Sequence, residues 1–184
     1  SINGDPEALR AHEVKQVGKK IASKLINDTE TSEKEIKETF KEYKGKELSW
    51  LKDSFFDTLM TYLQLPTSED QLERLGSLET GFSYLFTNKG AIKQIFPQLR
   101  QLFEQYLQNR EQLKQQLAQQ YQGKLKQKEE QIARQTGSQI KLDPEQDPEF
   151  ASALHHHQSQ LEGQYNQVVE QIKDELKKMY GNDG

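Results

Sequence analysis

The chain has 184 residues, 33% hydrophobic and 29% charged, and its mean hydropathy of -0.98 is too low for one compact globule built around a large core. A net charge of -4 argues against a general polyanion binder, and the lack of cysteine excludes disulfides, thiolate metal sites and cysteine nucleophiles. No stretch approaches the ~18 to 20 apolar residues of a membrane span, and Ser1-Ile2-Asn3-Gly4 lacks the marks of a signal peptide, so the cytoplasm is the expected location.

Asp5-Pro6-Glu7 reads as a helix start, because Asp accepts from free N–H groups and Pro fits the first turn, where no N–H bond is lost. Leu9, Val14, Val17, Ile21 and Leu25 then recur on one helical face, and Asn27-Asp28 ends the helix. Ser32-Glu33-Lys34-Glu35 has the pattern of a capping box. It predicts a short second helix with Ile36, Phe40 and Tyr43 inside and Gly45 closing it. A third helix is predicted from Glu47 to Leu65, stopped by Pro66, with Leu48, Leu51, Phe55, Leu59 and Leu63 as its stripe. Trp50, Phe56, Met60 and Tyr62 widen that stripe, which places this helix at the centre of a bundle.

Ser68-Glu69-Asp70-Gln71 predicts the start of a fourth helix carrying Leu72, Leu75, Leu78, Phe82, Leu85 and Phe86. Gly76 and Gly81 weaken it by about 1 kcal/mol each relative to alanine unless they serve close packing on the third helix. After the Asn88-Lys89-Gly90 turn, Ile92, Ile95 and Phe96 begin another helix, which Pro97 is expected to kink or restart. Composition then changes to Gln, Glu, Lys and Leu, and the apolar seam narrows to Leu102, Tyr106, Leu113, Leu117, Tyr121, Leu125 and Ile132. After the polar stretch 137–146, Asp147-Pro148-Glu149 repeats the helix-start signal. The last helix carries Phe150, Leu154, Leu161, Tyr165, Val168, Ile172, Leu176 and Met179 to a stop at Gly181.

No strand-type alternation occurs. The expected fold is all-α: an N-terminal helical bundle, residues 1–96, followed by a long antiparallel, coiled-coil-like helical hairpin arm, residues 97–184. Each arm helix would be about 50 to 58 Å long at ~1.5 Å per residue. Residues 97–136 carry seven Lys and Arg against four Glu, whereas residues 137–184 carry four Lys against nine Asp and Glu, which favours their pairing. Aligning the two seams pairs Tyr121 with Tyr165, Leu125 with Leu161, Ile132 with Leu154, and Gly123 with Gly163, with the midpoint at Asp143.

Few residues suggest chemistry. His155-His156-His157 is a weak metal candidate, because successive helical residues point ~100° apart and do not converge on one ion. His12-Glu13 lacks the second histidine of a zinc-protease helix, since Gln16 occupies that position. Lys15, Lys19, Lys20 and Lys24 form a basic strip on the first helix. Lys34, Lys37, Lys41, Lys44 and Lys46 follow, interleaved with glutamates and without an aromatic platform, so a solvated face is preferred to nucleic-acid contact. Twenty glutamines lie between Gln98 and Gln171; the helical spacing of their apolar neighbours excludes a prion-like tract, and the lack of charge eases lateral packing of arms.

The expected function is non-enzymatic. It is that of a scaffold, adaptor or chaperone-like protein whose arm meets a protein partner or a second copy, with Tyr121, Gln122, Leu125 and Tyr165 as candidate contacts. No cofactor or small-molecule substrate is implied. The alternatives are a nucleic-acid-associated protein using the Lys15–Lys24 strip, and an enzyme with a site in the bundle near Trp50 and Tyr62.

Overall fold

The computed structural model describes residues 4–183; Ser1, Ile2 and Asn3 of the N-terminal tetrapeptide lie outside the described residues, as does Gly184. The described residues form six α-helices and no strand. They are α1 (Pro6–Asn27), α2 (Thr29–Glu42), α3 (Gly45–Tyr62), α4 (Arg74–Ser83), α5 (Lys89–Thr136) and α6 (Pro148–Asp183). The chain divides into two compact units, one of Ser1–Gln101 with Val169–Gly184, the other Leu102–Val168.

In the first unit, the Asp5 carboxylate accepts from the Glu7 N–H at 3.0 Å and starts α1 as expected. The stripe of α1 settles on Val14, Gly18, Ile21, Ala22 and Leu25, while Leu9, in the first turn, is 44% exposed. α1 packs chiefly on α3 and also meets α2 and α4. Gly18 sets the approach: a Cβ there would lie 2.0 Å from Ser54 Oγ and 2.6 Å from the Leu51 carbonyl. Gly81 of α4 likewise sits within 2.9 Å of Leu25 and Leu59 methyls by the same construction, whereas Gly76 faces open space.

Several helix ends differ from expectation. α2 begins at Thr29, not after Ser32. Ser32 is buried, and its hydroxyl donates to the carbonyls of Asp28 and Lys24. It therefore satisfies the carboxyl end of α1 instead of the amino end of α2. Gly45, with φ +60, opens α3 where it was expected to close α2. α3 stops at Tyr62, three residues short of Leu65; the residue before a proline is biased away from helix, which keeps Leu65 outside it. Ser68 leads into a 3-10 turn, Glu69–Glu73, before α4. α6 passes through Gly181 to Asp183.

Pro97 neither stops nor restarts α5, which is continuous around it. Interior proline costs about 3 kcal/mol. Pro97 itself is exposed, while Ile92, Ile95, Phe96 and Leu99 around it are buried. Each such burial contributes about 1.5–3 kcal/mol, so packing outweighs the local penalty.

The first unit's core also takes the last turns of α6, which the sequence reading placed in the arm. Leu176 is fully buried, and the Tyr180 ring stacks on Phe56 at 4.3 Å and meets Phe86 at 6.1 Å. Phe56, Phe82 and Phe96 continue this aromatic cluster from α3 through α4 to α5.

In the second unit, α5 ends at Thr136 and is followed by Gly137, whose φ of +70 admits the turn and whose N–H donates to the Ala133 carbonyl at 2.8 Å. The chain then runs back along α5. The Leu142 N–H reaches the Glu129 carboxylate at 2.7 Å before α6 begins.

Candidate functional site: the paired segment of α5 and α6

The second unit buries few side chains: Phe103, Tyr106, Leu117 and Leu125 of α5, and Phe150 and Asp147 near the start of α6. Tyr121 meets Phe150 edge-on at 5.6 Å, and Tyr106 meets Tyr165 at 5.3 Å. The Tyr165 hydroxyl also accepts from the Asn109 amide. Tyr165 therefore lies beside Tyr106 and Asn109, not Tyr121, and the expected register is corrected. Tyr106 and Tyr121 are fifteen positions apart on α5, about 22 Å at 1.5 Å per residue. The reason is the loop, which lies back along α5, so that α6 starts beside Lys124 and Lys128 instead of near the end of α5. Gly123 and Gly163 are consequently not level; a Cβ at either would meet only open space.

Polar contacts pin this arrangement. Asp147 is the centre: its carboxylate accepts from the Glu149 N–H at 3.1 Å at the start of α6 and from Lys128 Nζ at 2.9 Å. The hydrogen bond from Lys128 is the main reason the Asp147 carboxyl lies below its usual value, and it raises Lys128 in turn. Lys124 pairs with Glu149 at 3.2 Å, and Lys114 pairs with Glu145, whose hydrogen bond raises the lysine. Both pairs are substantially exposed and contribute at most about 0–1 kcal/mol each. Burial raises the Tyr106 hydroxyl above its ordinary value.

Of the four contacts expected from sequence, Leu125 is buried in the seam and Gln122 is exposed. Tyr121 is half-buried, with the Lys124 ammonium 4.9 Å from its ring centre, and Tyr165 is half-buried at a separate place along the seam. The four do not form one patch. The three histidines are exposed; the rings of His156 and His157 meet edge-on at 5.6 Å, and His155 borders a shallow cleft with Lys114 and Glu145. Among the described residues no group of three His, Cys, Asp or Glu side chains is placed to hold a metal ion.

In the first unit, Lys15, Lys19, Lys20 and Lys24 are all exposed. Lys24 pairs with Glu35 at 3.1 Å, and Lys15 lies near enough to Asp57 to act on its carboxyl. Acidic groups of α2 and α3 thus take up part of the strip's charge. Tyr62 donates to Ser23 at 3.4 Å and carries the Arg74 guanidinium over its ring, so it is committed to packing.

Sequence reasoning missed one polar cluster. The Tyr180 hydroxyl donates to Asp53 at 2.7 Å, and the Asp183 carboxylate accepts from the Thr87 N–H at 3.0 Å. These groups border a cleft of about 520 Å³ with Lys52 and Phe86. Burial chiefly, then Asp53, raises the Asp57 carboxyl, and burial with the Asp53 bond raises Tyr180. The i, i+4 spacing of Asp53 and Asp57 was visible in the sequence; their approach to the far end of the chain was not.

No helix among the described residues is long and apolar enough to cross a membrane. No curated protein and no solved structure matches the chain. A family described as a family of unknown function, DUF6657, matches residues 37–178, from within α2 to within α6. That match covers well over half of the sequence, and the chain belongs to the DUF6657 family.

Proposed function

We propose that the chain is a non-enzymatic interaction protein, a scaffold, adaptor or chaperone-like module, in which α5 and α6 form an antiparallel hairpin arm that meets a protein partner. One observation carries this reading. Beside the few buried seam residues, Leu113, Tyr121, Leu154, Leu161 and Tyr165 stay only half-covered. Two paired helices have two sides on which such groups meet solvent, and little internal volume for a substrate pocket. Apolar side chains at helical spacing, half-covered and rimmed by Gln, Lys and Glu, suit the contact core and polar rim of a protein interface.

The test is affinity capture with the full-length chain, with a variant carrying Leu113→Gln and Leu161→Gln, and with one carrying Gln at Lys15, Lys19, Lys20 and Lys24. A partner held by the wild type and by the lysine variant, and lost with the leucine variant, is expected. Loss of a nucleic-acid partner with the lysine variant alone would favour the basic strip instead. A partner insensitive to the leucine changes would remove the arm from consideration.

A further inference from the structure

We draw no further inference here: the strongest candidate, the cleft of about 520 Å³ in the first unit bordered by Lys52 and Asp53 of α3, Thr87 of the α4–α5 connection and Tyr180 and Asp183 at the end of α6, carries nothing, because the Tyr180 hydroxyl is already bonded to Asp53 and Thr87 to Asp183, and nothing in the structure points to a ligand among them.

Discussion

Replacing Gly18 by alanine sets two known effects against each other at one atom. Helix propensity alone favours alanine by about 1 kcal/mol in the interior of α1. The added Cβ, however, would sit 2.0 Å from Ser54 Oγ, 2.6 Å from the Leu51 carbonyl oxygen and 3.2 Å from the Phe55 nitrogen. The serine hydroxyl rotates away at the cost of its 3.1 Å bond to that same carbonyl. The carbonyl belongs to the backbone of α3 and yields only if the two helices separate. Overpacking of this kind costs about 1–3 kcal/mol and commonly exceeds the propensity gain, so a net loss of about 1 kcal/mol is expected. Gly76, in α4, faces open space, and its replacement by alanine keeps the propensity gain. The two variants therefore move in opposite directions, by about 2 kcal/mol in total, or roughly 4–8 °C in the melting of a chain this size. Thermal unfolding of the full chain by circular dichroism measures both. If Gly18→Ala melts at or above the wild type, the close approach of α1 and α3 is wrong.

Tyr180→Phe removes the bond to Asp53 and is expected to cost about 1 kcal/mol, whereas Tyr180→Ala also removes the ring stacked on Phe56 and is expected to cost about 3 kcal/mol; equal melting of both variants and wild type would mean the end of α6 is not part of the first unit's core. Asp57 is raised above its ordinary 3.8, so the folded state holds this proton more tightly than the unfolded chain. Wild-type stability accordingly falls as pH rises from 3.8 through the raised value, and the advantage of Asp57→Asn grows over that window and then levels, which melting curves between pH 3 and 7 would show or fail to show. Asp183 is lowered by its bonds to Thr87, so its contribution runs the other way and is lost as pH falls below 3.8. Because the chain has no cysteine, a double replacement by Cys at Tyr121 and Phe150 is expected to close a disulfide within one chain, and a pair at Tyr121 and Tyr165 is not; the reverse outcome would restore the register read from sequence.

The helices themselves were legible, because each carries its own periodic stripe. Val14, Ile21 and Leu25 in α1, Leu51, Phe55 and Leu59 in α3, and Leu75, Leu78 and Phe82 in α4 are all buried. What failed was local chemistry that tertiary contact reassigned. Ser32 and Pro97 are strong end signals in isolation. Ser32 lost its role because only Asp28 separates α1 from α2, which puts the Ser32 hydroxyl against the carbonyls of Lys24 and Asp28. Pro97 lost its role because Ile92, Ile95, Phe96 and Leu99 around it are buried. The contacts of Tyr180 and Asp183 were out of reach for another reason: they join positions separated by 127 and 96 residues, and no local pattern records such a pairing.

The register of the paired helices shows the limit most directly. An apolar seam that repeats every seven residues keeps nearly the same burial after a slide of one or two repeats, so hydrophobic spacing admits several alignments of nearly equal energy. Groups that do not repeat must break the tie. Gly123 and Gly163 do not repeat either, yet each faces open space and discriminates nothing. The discriminating group is Asp147, buried, donor-satisfied at the start of α6 and paired with Lys128. Sliding α6 by one repeat would carry that carboxylate about 10 Å from its lysine. The charge-assisted bond made in one alignment is lost in the others, so this pair favours a single alignment where a repeating apolar seam does not.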